Sequence, residues 1–335
     1  MTEGRRASIK DVAKLAGVSL GTVSRTINDS GSVSKESRER VERAVRMLGY
    51  VPNHAAQSLR RGSTAMLAYM FPDIGNPLYT SLYQRLEREF QARGYISVLS
   101  NSGADLEREV DTIARFQDRG VDLMVVAPSH EKEPRLIRAI DEAVSPVIVL
   151  DRDIPVNRDT IWFDHRQAMR LCVDHLVQQG HTRIGLVTWT SHSRPARLRK
   201  QGFLEAMEAH GLDGTGRIAH AASSTASAHG PVVELLDAPD RPTALIAHGS
   251  NIVVSALRAI EDRGMSVPGD IAVISGGRNE FLNLYRPDVP YVSLDSAMLI
   301  ETMLHAVGRR IDNPRDGDRL DVNIGFCLES LSATS

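Results

Sequence analysis

Seven short apolar runs, each five to seven residues long, alternate with amphipathic stretches between residues 65 and 275. They read AMLAYMF (65–71), ISVLS (96–100), LMVVA (123–127), PVIVL (146–150), RIGLVT (183–188), TALIAH (243–248) and IAVIS (271–275). Strands that alternate with helices are built as parallel βαβ units, so this pattern commits most of the chain to an α/β fold. The spacing predicts helices at 78–93, 105–119 and 133–143, then a second series near 166–180, 195–210 and 251–263. A helix near 297–310 and the last strands are expected to return and complete both halves. The expected body is two lobes, each a doubly wound parallel sheet, with no low-complexity linker between them.

Composition excludes the alternatives to a packed protein. Of 335 residues, 42% are hydrophobic and only 25 are glycine, which leaves no collagen-like or disordered reading. Cys172 and Cys327 lie far apart and fit a reduced interior better than a secreted disulfide framework. The opening MTEGRRASIK has no apolar stretch behind its arginines, and no apolar run is long enough to cross a bilayer. A soluble cytoplasmic protein is expected. Its charge is uneven: residues 1–62 hold 12 Lys/Arg against 6 Asp/Glu, and the remainder holds 28 against 36. A basic head on an acidic body points to a polyanion met by the head alone.

The head has its own local code. Ser8 with Asp11 forms a capping-box pair, Val12, Ala13 and Ala16 keep helical spacing, and Gly17 stops the helix. Ser19 caps a second helix, Leu20 to Ile27, in which Val23 and Ile27 face inward and Leu20, Gly21, Ser24 and Arg25 face outward. A third helix starts after Ser34, with Val41, Val45 and Leu48 as its stripe and Gly49 as its end. Two short helices, a glycine turn and a bracing helix make a helix-turn-helix unit. Ser8, Ser19, Thr22, Ser24, Ser34 and Ser37 supply hydroxyls for phosphates, and Arg25 is the candidate for a guanine edge. Taken singly, each of these is equally readable as a helix cap or a solvated charge; the joint arrangement is what carries the reading.

The strings AGVS-x-x-TVSR, then Asn28, then GY-x-PN-x-A-A-x-x-L resemble the head of the LacI family of bacterial transcriptional regulators. The resemblance implies base reading by Leu20, Gly21 and Arg25, and a hinge helix carrying Asn53, Ala56 and Leu59. By its residues alone the stretch 52–60 is a linker too short for a stable helix. With the family motif around it, Leu59 is expected to act as a minor-groove wedge on a helix that folds on DNA. The expected organisation is a helix-turn-helix domain at 1–51, a hinge and linker at 52–63, and a two-lobed effector and dimerisation domain at 64–335. The family resemblance covers nearly the whole body, whose two lobes are similar to those of periplasmic sugar-binding proteins.

Ligands of such sheets sit beyond the carboxyl ends of the strands. That rule selects Asn76-Pro77, Pro128, Asp151, Trp189, His248 and Arg278, and Phe163 joins the effector set. The resemblance places Asp151 of LDRD and Arg199 of ARLRKQGF at family effector positions. Asp151 as a turn cap and Trp189 as plain core remain open. The chain departs from the family where Gly249-Ser250 replaces Asn-Asp and Gly276-Gly277-Arg278 replaces a run ending in Asp. Loss of two hydroxyl-binding side chains beside a new cation suggests an anionic or sugar-derived effector, or loss of effector response, with Arg278 either lining the cleft or turned to Glu280.

No G-x-G-x-x-G follows the first strand, and no P-loop, G-x-S-x-G or H-E-x-x-H occurs, so no enzyme, cofactor or metal site is expected. Cys172 and His175, three apart on one helix, read as structural. The expected function is a sequence-specific transcriptional regulator, a repressor, that binds a pseudo-palindromic operator as a homodimer and answers to a small molecule. The ending CLESLSATS carries no leucine heptad, which favours a dimer over a tetramer. A solute-binding receptor of the same two-lobed form is the alternative, and the basic head argues against it.

Overall fold

The computed structural model describes residues 7–27, 30–50, 63–189, 192–214, 216–223, 226–314 and 316–329. The chain divides into two compact units, residues 1–64 and 65–335.

In the first unit α1 (Ile9–Ala16), α2 (Leu20–Ile27) and α3 (Lys35–Leu48) close over a small core of Val12, Ala13, Ala16, Val23, Val41 and Ala44. Ser8 Oγ accepts from Asp11 N at 3.3 Å while Asp11 accepts from Ser8 N at 2.9 Å, the reciprocal capping box. Gly17 and Gly49 end their helices in the left-handed conformation, φ 63° and 58°. Val23 lies in this core and Ile27 packs against it, as expected of the inward face of α2. Thr26 is buried as well, its hydroxyl donating to the Thr22 carbonyl at 2.9 Å.

The second unit holds two six-stranded sheets. Its strands are β1 (Met66–Phe71), β2 (Ile96–Asn101), β3 (Leu123–Val126), β4 (Val147–Leu150), β5 (Asp159–Phe163), β6 (Ile184–Trp189), β7 (Arg217–Ala221), β8 (Ala244–Ala247), β9 (Ala272–Ser275), β10 (Tyr291–Leu294), β11 (Asp321–Ile324) and β12 (Phe326–Glu329). The first sheet runs β11-β5-β4-β3-β1-β2 and is parallel throughout. The second runs β12-β10-β9-β8-β6-β7, and here β12 lies antiparallel to β10, a departure from the all-parallel expectation at one edge. The chain crosses between sheets late, so β11 completes the first and β12 the second, as the sequence predicts of its last strands.

Helices cover both faces, which is why the central strands are apolar at successive positions rather than alternate ones. In β1, Leu67, Tyr69 and Phe71 enter one core cluster, and Ala68 and Met70 enter another. The helices are α4 (Pro77–Gln91), α5 (Leu106–Asp118), α6 (Pro134–Asp141), α7 (His165–Gln178), α8 (Arg194–Ala209), α9 (His229–Asp237), α10 (Ser250–Asp262), α11 (Glu280–Tyr285) and α12 (Ser296–Asp312). The expected helices match within three residues at each end. Missing from the sequence reading are β5, β7, α9 and α11. β5 (DTIWF) follows the charged stretch DRDIPVNR and opens on an aspartate, so it shows no apolar run.

In each sheet the chain turns one way after its first strand and the other way after its second, giving switch points at β1/β3 and at β6/β8. Loops part there and leave room beyond the strand ends. Among the described residues no helix is long and apolar enough to cross a membrane.

Candidate functional site

The first unit presents a polar face around the start of α2. Leu20, Gly21 and Arg25 are exposed, Ser24 is half-buried, and Val23 anchors the helix from beneath. Ser19 Oγ accepts from Thr22 N at 3.1 Å and lies 3.0 Å from the Thr22 hydroxyl; Ser34 Oγ accepts from Ser37 N at 3.3 Å. These hydroxyls therefore cap helices and also stand at helix N-termini, where backbone N–H groups favour phosphate oxygens. Asn28, Asn53, Ala56 and Leu59 lie outside the described residues.

In the second unit the structure gathers Asp151, Phe163, Trp189, Arg199 and His248 at the carboxyl ends of strands from both sheets. Pro77 is exposed at the first turn of α4, and Asn76 caps that helix through Leu78 N at 3.0 Å. Arg278 is exposed, and its positive charge helps to hold the Glu329 carboxyl below its usual range, after the hydrogen bonds from Ser293 and Tyr291.

Asp151 is the centre of the arrangement. It is buried in the left-handed conformation (φ 53°) just past β4, and its carboxylate accepts from His165 Nε2 at 2.7 Å, Phe163 N at 3.2 Å and Arg194 Nη1. Arg194 belongs to α8, so this bond ties the first lobe to the second. Glu131 repeats the tie: it accepts from Arg194 N at 2.7 Å and from Arg197 Nη1 at 3.0 Å. The loop carrying Glu131 is shaped by buried Glu109, which accepts from Ser129 N at 2.7 Å and meets His130 Nδ1 at 2.9 Å. Burial opposes the charge on Asp151, but His165, Arg152 and Arg194 outweigh it and keep the carboxyl below its ordinary range.

Trp189 ends β6. The Arg199 guanidinium lies over its ring at 4.7 Å, and the His248 ring sits beside it at 5.6 Å. Gly276 abuts His248 so closely that a Cβ there would fall 2.3 Å from Nδ1, and Gly249 adopts φ 123°. Of the two glycines that the sequence presents as lost side chains, Gly249 is required by its backbone geometry, whereas Gly277 has open space beside it.

Sequence reasoning did not select Arg152, His165, Arg194 or Glu131. His165 follows the unrecognised strand β5, and Arg194 and Arg197 open a helix whose carboxylate partners lie far away in the sequence. Only Arg152, beside Asp151 in LDRD, carried a local signal.

Burial pushes His165 down to about 4 against its ordinary 6.5, with Arg199 and Arg194 adding to the effect and Asp151 opposing it. Burial first, then Arg199 and the neighbouring His165, drives His248 well below the same value. Both imidazoles are neutral at pH 7 in the folded chain and protonate readily once unfolded. The unfolded state therefore binds more protons between pH 6.5 and 4, and stability falls as pH drops through that window. For His165 alone the loss is about 3 kcal/mol by pH 4. Urea unfolding of the chain followed from pH 7.5 to 4.5 should show this decline, and His165→Gln should flatten it; an unchanged profile in the variant would remove His165 as its source.

Comparison with known proteins agrees with both units. Residues 8–53 match the model described as bacterial regulatory proteins, lacI family, and residues 173–324 match a periplasmic binding protein-like domain. The ribose operon repressor of Escherichia coli (strain K12) is 30% identical over 92% of this chain and 94% of its own length. The transcriptional repressor PurR of Aliivibrio salmonicida (strain LFI1238) is 28% identical over 94% of this chain and 95% of its own. Among solved structures, the lac repressor dimer bound to operator and the anti-inducer ONPF superposes with a TM-score of 0.81 at 23% identity, covering 97% of this chain and 99% of that one. The transcriptional regulator CelR in complex with cellobiose gives 0.69 at 25%, covering 97% and 98%. A helix-turn-helix head joined to a two-lobed ligand-binding body, matched over more than nine tenths of its length by repressors, makes this chain a member of the lacI family of bacterial regulatory proteins and a DNA-binding transcriptional repressor.

Proposed function

We propose that the chain acts in the cytoplasm as a homodimer that holds a pseudo-palindromic operator through residues 1–51, with a hinge at 52–63. Residues 64–335 bind a small effector, sugar-derived or anionic, where the two lobes meet. The observation that carries this reading is the exposed Leu20-Gly21-Arg25 edge of α2, set over a closed core and flanked by hydroxyls at helix N-termini. An edge of that kind fits the major groove, and two of them related by dimer symmetry read half-sites related in the same way. The ligands in relatives' names (ribose, cellobiose) and the tie between lobes at Asp151 and Arg194 support an effector acting on lobe closure.

Gel shifts of the full chain and of a chain lacking residues 1–62, on sites selected from random DNA, test the proposal. The full chain should select a two-fold related sequence, the shortened chain should bind none, and light scattering should report a dimer. Arg25→Ala should weaken specific binding by about 1–3 kcal/mol and relax preference at one base pair per half-site. The same selection repeated with the variant checks it, and an unchanged base preference would take Arg25 out of the reading set.

A further inference from the structure

Among the described residues seven buried side-chain polar atoms lack a hydrogen-bond partner, and five of them belong to one place. Arg199 contributes Nε and Nη1, His165 and His248 each contribute Nδ1, and Thr188 contributes Oγ1. These residues share the ends of β5, β6 and β8 with Trp189. Buried polar groups are normally paired, because leaving one unpaired forfeits its hydration with nothing in return. A convergence of such atoms marks a site built for a partner from outside the chain.

The charges there do not balance. Arg152, Arg194 and Arg197 face Asp151, Glu131 and Asp153, and every one of those carboxylates is engaged by one or more of these arginines. Asp151 already accepts from His165, Phe163 and Arg194. Arg199 is left over. It is 8% exposed, and no described carboxylate lies within ion-pair reach of it. The guanidinium lies over the Trp189 face, yet its Nε and Nη1 have no hydrogen-bond partner. Burial lowers Arg199 to about 10, so it remains a cation at pH 7. Gly249 and Gly277 carry no side chain, and Asp151, near enough to act on Arg199, already has Arg194 as its direct ion partner. Arg278, exposed and close enough to influence Glu329, is not this cation.

We infer that the effector carries an acidic group, a carboxylate or a phosphate, and that this group pairs with Arg199. The inference rests on reading the meeting of the lobes as the effector site. A fork of N–H donors in a dry setting suits the two oxygens of a carboxylate or phosphate. His165 Nδ1 and Thr188 Oγ1 then serve hydroxyls elsewhere on the same ligand, which separates this class from a bare inorganic anion.

Thermal melting of the full chain tests this with matched probes: gluconate against glucose, ribose 5-phosphate against ribose, and inorganic phosphate alone. At saturating concentration at least one acidic probe should raise the melting temperature by about 3 °C or more. Its neutral counterpart should do less, and Arg199→Met should abolish the shift. A response to gluconate assigns a carboxylate, and one to ribose 5-phosphate assigns a phosphate. Without added ligand, Arg199→Met should melt no lower than the unaltered chain, because an unpaired buried cation has been removed. Arg199→Gln repeats the comparison if the methionine variant folds poorly. Equal shifts by a neutral sugar in the unaltered chain and in Arg199→Met would overturn the acidic assignment and leave the site intact. Shifts that survive Trp189→Ala would instead overturn the location of the site. A chain unmoved by every acidic probe, or a ligand-free Arg199→Met variant several degrees less stable, would also overturn the inference.

Discussion

Val41→Asp should abolish operator binding and erase the melting transition of the head while the transition of residues 65–335 persists. Val41 is fully buried at the centre of the head, in contact range of Val12, Ala13, Ala16, Val23 and Ala44. A domain of some fifty residues commands about 3–7 kcal/mol in all, at roughly 0.05–0.15 kcal/mol per residue. An unpaired carboxylate in such a core costs several kcal/mol, and no basic side chain belongs to that core to offset it. The head should therefore be mostly unfolded, and affinity for a selected site should fall by more than about a hundredfold. Gel shifts with calorimetry on the same preparation check both parts. Retention of operator affinity within tenfold would mean that DNA itself refolds the head.

Asp151→Asn should destabilise the second unit by about 3–5 kcal/mol, the usual cost of breaking one side of a buried ion pair. The change keeps the shape and tolerates φ 53°, so the effect isolates the charge. Three cations surround that carboxylate: Arg194 pairs with it directly, and Arg152 and Arg199 lie near enough to shift with it. Removing their anion leaves them repelling one another in a dry setting. Asp153→Asn is the contrast. Its side chain is 63% exposed and pairs with Arg197 in water, so it should cost no more than about 1 kcal/mol. Urea denaturation of both variants makes the comparison, and similar losses in the two would refute a special role for burial at Asp151.

The head was legible because its signals are local. Ser8 and Asp11 are three residues apart, Gly17 and Gly49 stop helices where their left-handed φ is needed, and Val12 with Ala16, Val23 with Ile27 and Val41 with Val45 each keep helical spacing within one helix. Each of these acts within a turn or two of its own position. Strands buried on both faces were legible for a related reason, since continuous apolar runs are the imprint of helices on either side. Strands at the sheet margins, such as β7 (RIAHA) and β11 (DVNI), are partly exposed and left no such imprint.

The effector site was legible only in part. Asp151 and Arg199 were marked by resemblance, and the strand-end rule gave Trp189 and His248, but neither source revealed how those groups are shared out. Arg194 stands 43 residues from Asp151 and Arg197 stands 66 from Glu131, and no local pattern encodes a pairing across such distances. The sequence by itself determined two things here: a helix-turn-helix head with its reading edge, and a body of parallel βαβ halves, because capping, turn chemistry and apolar period all act over a few residues. Only the tertiary structure decided that Asp151 pairs with Arg194 and His165 while Arg199, among the described residues, has no ion pair of its own. Which buried charges find partners depends on which strand ends the folded lobes bring together.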